Sequence, residues 1–167
     1  VLPAMNGVPW WFLHEFGGNY ANHALNSVDA DGSISQAIPA TQVIGCVVHT
    51  SSSVAAPGVI HHKFGNTVIL GELSGQRSPR LAALSDLFVQ AGFDAPVSTQ
   101  IQRDIWFKLW GNMTMNPVSA ITGATADLVL DDALVRNFCS AVMLEAKEIG
   151  ARLGIDISQE PEERHMV

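Results

Sequence analysis

The chain has 167 residues, 47% of them apolar, and nine Lys plus Arg against sixteen Asp plus Glu give a net charge of -7. Such a balance offers no basic face for nucleic acid, and no apolar run reaches the roughly 18 residues that a bilayer-spanning helix needs. Cys46 and Cys139 lack metal-ligand spacing and read as free thiols. The opening "VLPAMNG" has no basic region and no cleavage pattern, so no signal peptide and a cytoplasmic location are expected.

In chain order, "NGVPWWFLHEF" reads as an Asn6-Gly7 turn followed by a helix, with Pro9 at a first helical position. Residues 17–33, rich in Gly, Asn, Asp and Ser, read as a long loop or insertion. "VIGCVVHT" (43–50) is a β-branched run of the buried-strand kind. "GVIHHK" (58–63) and "TVILGEL" (67–73) are two further strands, and Gly65-Asn66 between them predicts a hairpin turn. Ser78-Pro79 is a helix start, with Leu81, Leu84, Leu87 and Phe88 in helical period and Gly92 as the stop. A long helix begins near Gln100, and the residue before Pro117 predicts a kink or an end at Asn116. A last long helix starts at Asp131-Asp132, with Leu134, Phe138, Val142, Ile149 and Leu153 expected on its buried side. The pattern is thus α/β followed by all-α, with the change near 74–78.

The helix from Gln100 carries an odd feature. Asp104, Lys108, Asn112 and Asn116 recur every four residues among Ile105, Trp106, Leu109, Trp110 and Met113. Steps of four drift by about 40°, so they form a narrow polar row on an apolar helix. A buried lysine and two buried amides are costly unless satisfied. The row either faces solvent, caps a neighbouring helix, or lines a cleft where Lys108 supplies a proton or charge and the amides orient a small polar ligand. Spacing alone leaves these open. His61 and His62, adjacent in a strand, point to opposite faces and cannot share an ion, so no metal is expected. The hydroxyls of "HTSSS" (49–53) have no base or oxyanion partner that would make a nucleophile.

"WFKLWGNMTMNPVSAITG" resembles the W-x-K-L-x-x-N-x-x-x-N-P segment of ketopantoate reductases (2-dehydropantoate 2-reductases). "MNGVPWW" resembles the family's Asn-Gly turn, and "VIGCVVHTSS", "PGVIHH" and "ILGELSG" resemble the last strands of its nucleotide domain, in the same order. The resemblance implies NADPH-dependent reduction of a 2-oxo acid, ketopantoate to pantoate. Residues 1–76 would be the C-terminal part of a Rossmann-type NADP-binding domain, and 77–167 the first helices of a helical substrate and dimerisation domain. It implies that Lys108 is the proton donor and that Asn112 and Asn116 bind substrate. Asn6 would lie where nicotinamide ribose and substrate meet, and Thr50 beside the cofactor. A small-molecule 2-oxo acid is the partner, with no nucleic acid and no membrane, and a homodimer is compatible.

The departures count as well. The family's G-x-G-x-x-G phosphate turn is not in this sequence. The family's Ser and Glu beyond the helix ending at Gly154 are also missing, and Ala126 stands where a further substrate-side asparagine is expected. An internal fragment, inactive by itself, is therefore expected. Other readings are a reductase of another branched 2-oxo acid, a non-catalytic metabolite-binding or dimerisation relative, and an opine-type dehydrogenase of similar architecture.

Overall fold

The structure is a computed structural model and describes residues 1–166. Contacts divide the chain into two compact units, Val1–Ile105 and Trp106–Val167.

The first unit is built on one long antiparallel hairpin, β1 (Gly45–Ala56) and β2 (Val59–Gly71), preceded by a short helix α1 (Ser33–Ala37). The hairpin turn is Pro57-Gly58, not Gly65-Asn66 as the sequence predicts. Proline at the first corner and glycine at φ 77° at the second suit a two-residue type II turn. The two strands expected on either side of "FGN" are one strand. Gly65 (φ 78°) instead forms a bulge, where the pairing shifts from His49↔Thr67 to Ser51↔Phe64. A β-carbon at 65 would stand 2.5 Å from the His49 carbonyl oxygen. Gly65→Ala should therefore lower the unfolding free energy by about 1–3 kcal/mol, read from its denaturation midpoint, whereas a null effect would show the strand relaxing freely.

β2 is also flanked by residues 94–97, which run parallel to it. Val68 N–H donates to the Asp94 carbonyl (2.8 Å), Leu70 N–H to that of Pro96 (3.0 Å) and Ser98 N–H to that of Leu70 (2.7 Å). The helix between them, α2 (Pro79–Gln90), makes this a β-α-β crossover. Its start is as the sequence predicts, with Ser78 Oγ accepting from Leu81 N–H at 3.2 Å. Leu81 joins Ile44, Cys46, Val68, Leu70 and Ala95 in the core, while Leu87 is exposed. This packing groups α2 with the strands in the first unit. On the sheet's other face the paired Gly45 and Gly71 leave room for Ile101. A β-carbon on either would come within 2.8 Å of that side chain.

Residues 9–15 are successive turns rather than the expected helix. Phe12 N–H reaches back to the Pro9 carbonyl (3.0 Å) and His14 N–H to that of Trp11 (2.8 Å). Trp11, Phe12 and Leu13 still enter the core. Residues 17–33 are mainly loop, closed by Asp29. Its carboxylate accepts from the Ile34 and Ser35 N–H groups, both at 2.9 Å, at the start of α1.

The second unit is helical: most of α3 (Ile101–Thr122), then α4 (Ala126–Asp131), α5 (Ala133–Arg152) and α6 (Pro161–His165). α3 does not end at Asn116. It runs through Pro117 to Thr122, losing the one backbone bond that proline cannot donate. α5 starts where predicted, with the Asp132 carboxylate accepting from the Leu134 and Val135 N–H groups at 2.9 and 3.1 Å. Its buried face is Cys139, Met143, Ala146 and Gly150. Leu134, Phe138 and Ile149, expected to be buried, are exposed. The Trp106 and Trp110 indoles donate to the α5 carbonyls of Ala146 (3.2 Å) and Met143 (2.9 Å). Neither cysteine forms a disulfide and both are buried, and burial pushes the Cys139 thiol up. No helix among the described residues is long and apolar enough to cross a membrane.

Candidate functional site

α3 carries apolar residues around most of its circumference. Its apolar anchors, Trp106 and Trp110, lie two residues either side of Lys108, about 160° around the helix from it. Binding α5 through those two indoles turns Lys108 to the opposite face. Asn112 and Asn116 follow at about 40° steps, each about 6 Å further along the axis. Lys108 and Asn112 are half-buried and Asn116 is exposed. The row therefore survives on an apolar helix because the packed face lies on the other side. At the start of α3, Ser98 Oγ donates to the Asp104 carboxylate and accepts from the Gln100 N–H at 3.0 Å.

The structure thus brings Lys108, Asn112 and Asn116 onto one helix face. Asn6 and Thr50 belong to the first unit and to different elements. Asn6 is exposed, just before Gly7 (φ 83°), and Thr50 is exposed on β1 between the two pairs that flank the Gly65 bulge. Chemically, the row offers one ammonium and two amides at regular spacing. An ammonium can stabilise a developing oxyanion and release a proton to it, and an amide can both donate and accept.

The first unit has a cleft of about 290 Å³ lined by His14, Glu15, Thr41, Glu72, Ser74 and Arg80 among others. None of the residues predicted from sequence lines it. Its wall holds an ion pair, with a buried carboxylate and a half-exposed guanidinium, that sequence reading missed. Arg80 Nε and Nη2 donate to the two oxygens of Glu72 at 2.7 and 2.5 Å. Arg80 Nη1 and Nη2 also reach the Thr41 and Val43 carbonyls. The Arg80 guanidinium, with a hydroxyl bond from Ser78, holds the Glu72 carboxyl below the usual carboxylate range against the opposing effect of burial. Both residues stand in "GELSGQRSPR", but nothing in that string announces their pairing. Among the described residues no group of three or more His, Cys, Asp or Glu is placed to hold a metal ion.

Residues 100–167 match the family model described as ketopantoate reductase PanE/ApbA C terminal. The 2-dehydropantoate 2-reductase of Mesorhizobium japonicum is 45% identical over 155 residues, which are 93% of this chain and 48% of that protein. Among solved structures, a Ralstonia solanacearum MolK2 protein designated a ketopantoate reductase is 56% identical, with a TM-score of 0.93 over 99% of this chain and 51% of that one. The 2-dehydropantoate 2-reductase of Methylococcus capsulatus is 27% identical, with a TM-score of 0.68 over 83% of this chain and 47% of its own. The chain spans about half the length of the relatives it matches. A small sheet, a β-α-β crossover and a run of helices, in that order and with this likeness, place the chain in the ketopantoate reductase family.

Proposed function

We propose that this chain is part of an NADPH-dependent 2-oxo acid reductase, with ketopantoate as the substrate and pantoate as the product. The observation that carries the reading is the Lys108–Asn112–Asn116 row on the face of α3 opposite Trp106 and Trp110. The nicotinamide, when bound, supplies the hydride that reduces the ketone carbon. Lys108 holds a proton on Nζ beside the ketone oxygen, stabilises the alkoxide as it forms, and gives it that proton. The neutral amine then regains a proton from water. Asn112 and Asn116 fix the substrate's orientation through their amides, which restricts it to one reactive pose. The exposed Asn6 amide and Thr50 hydroxyl have the donor and acceptor chemistry for a ribose and a nicotinamide carboxamide, and we assign them to the cofactor's side. In this reading residues 1–76 are the tail of a Rossmann-type domain and 77–167 the start of the helical one, in a cytoplasmic, homodimeric enzyme.

A second reading keeps the mechanism and changes the acid. Ala126 offers no amide where the family resemblance expects one, so a branched 2-oxo acid other than ketopantoate is the alternative substrate. The test is NADPH oxidation by the full-length reductase that carries this chain. Turnover with ketopantoate supports the first reading, and turnover only with another branched 2-oxo acid supports the second. Silence with every 2-oxo acid sinks both. The 167-residue chain alone, without the phosphate-binding turn, should show no turnover.

A further inference from the structure

The short helix α6 is tied to α5 by polar side chains. On α5, Arg136, Ser140 and Lys147 fall within about 40° of one another around the axis, so they share one face. Arg136 Nε donates to Glu162 Oε2 at 3.1 Å, and Lys147 Nζ pairs with Glu160 Oε1 at 2.5 Å. Between them along α5, the Ser140 hydroxyl stands 3.2 Å from Glu162 Oε1 and 3.0 Å from His165 Nε2.

The two ion pairs keep their charges from mild acid to mild base. The serine tie does not behave so simply, because a hydroxyl has one proton and cannot give it to both neighbours. While Nε2 of a neutral imidazole is bare, the hydroxyl donates to it, and Arg136 satisfies Glu162. A protonated imidazole carries a hydrogen on Nε2 and reverses that bond, so the hydroxyl turns to Glu162. The Ser140 rotor therefore follows the charge of His165. That ring is half-buried. Burial pulls its pKa below the ordinary histidine value, Arg136 on α5 acts in the same direction, and Glu162 on α6 opposes them. α3 meets α6 at Gly111, which carries no charge: a β-carbon there would stand 3.0 Å from Arg164 Nε and 3.3 Å from Nη2.

We propose that Ser140, Glu162 and His165 form a proton-sensitive clasp that closes α6 on α5 near neutral pH and loosens it in mild acid. Released from α5, His165 regains water and its ordinary affinity for a proton, so acid favours the released form. The clasp is at full strength above a free histidine's pKa of about 6.5 and weakens as pH falls through the lower, clasped value. Release also withdraws the Arg164 guanidinium from Gly111, three residues beyond Lys108, so the clasp acts on the helix that carries the polar row.

The test uses the full-length reductase that carries this chain. Hydrogen exchange is followed at the Glu163 and Arg164 amides, which bond the Glu160 carbonyl, and corrected for the intrinsic rate at each pH. In wild type these amides should exchange several-fold faster at about pH 5.5 than at about pH 7.5, on either side of the ordinary histidine value. His165→Gln, neutral at both, should remove that difference. Ser140→Ala, which keeps the imidazole but takes away its donor, should raise the His165 pKa read by NMR and speed exchange at the higher pH. Equal exchange at the two pH values in wild type, or the same difference in His165→Gln, overturns the proposal. A wild-type His165 that titrates at or above about 6.5 overturns it too. None of these readouts involves turnover, so the clasp stands or falls separately from the reductase reading.

Discussion

If Lys108 is the proton donor proposed above, replacing it with alanine in the full-length reductase should lower kcat about 10²–10⁴-fold, the usual worth of a positioned general acid. KM for the 2-oxo acid should change much less, because in that role the ammonium would act most strongly on the alkoxide that forms in the transition state. Lys108→Arg separates the two jobs of the side chain. Arginine keeps a positive charge on this face of α3 but holds its proton too tightly to donate it. If proton transfer dominates, the arginine variant stays nearly as slow as the alanine variant. If charge stabilisation dominates, it recovers most of the rate. The tryptophans that pack α3 lie on the other side of the helix, so circular dichroism should show the same helical content in both variants. An alanine variant with full kcat would remove Lys108 from the chemistry altogether.

What could be read from the sequence was what local chemistry decides. The cap of α2 at Ser78 and the cap of α5 at Asp132 depend on bonds spanning two or three residues, and both are where their strings place them. The polar row on α3 was legible for the same reason, since helical spacing alone brings Lys108, Asn112 and Asn116 to one face. What went astray depended on distant partners. "FGN" and "APG" are both turn signals, and only the register of the whole hairpin selects Pro57-Gly58 and leaves Gly65 as a bulge. α5 carries two overlapping apolar stripes, one with large residues and one containing Cys139, Ala146 and Gly150. Hydrophobicity favours the first. The second packs because the Trp106 and Trp110 indoles need small neighbours: a β-carbon at 150 would stand 2.5 Å from Trp106 Nε1. Pro117 predicts a kink or an end at Asn116, and α3 continues through it to Thr122. The Gly111–Arg164 contact joins residues 53 positions apart, a separation that no local pattern encodes.

The second large effect concerns stability. Glu72 and Arg80 tie the end of β2 to the first turn of α2, and Arg80 also holds the carbonyls of Thr41 and Val43. The Glu72 side chain is 8% exposed and that of Arg80 49%. Arg80→Met leaves a buried carboxylate without its cation and should cost about 3 kcal/mol, the low end for breaking a buried pair because Arg80 is half in water. Glu72→Gln should cost less, since the amide can still bond Ser78 and the guanidinium keeps its two carbonyls. Replacing both residues with methionine should recover much of the loss, because neither charge then remains to be desolvated. The effect of pH has a definite sign. The folded carboxyl of Glu72 is held below its ordinary range, so its contribution is present above a free glutamate's pKa of about 4.3. That contribution is lost as pH falls through the lower folded value. Denaturant melts of wild type and Glu72→Gln should therefore differ most near neutral pH and converge in acid. If the gap between them were the same at pH 3 as at pH 7, the pair's charge would not be what stabilises this junction, and the hydrogen bonds to Ser78, Thr41 and Val43 would carry it instead.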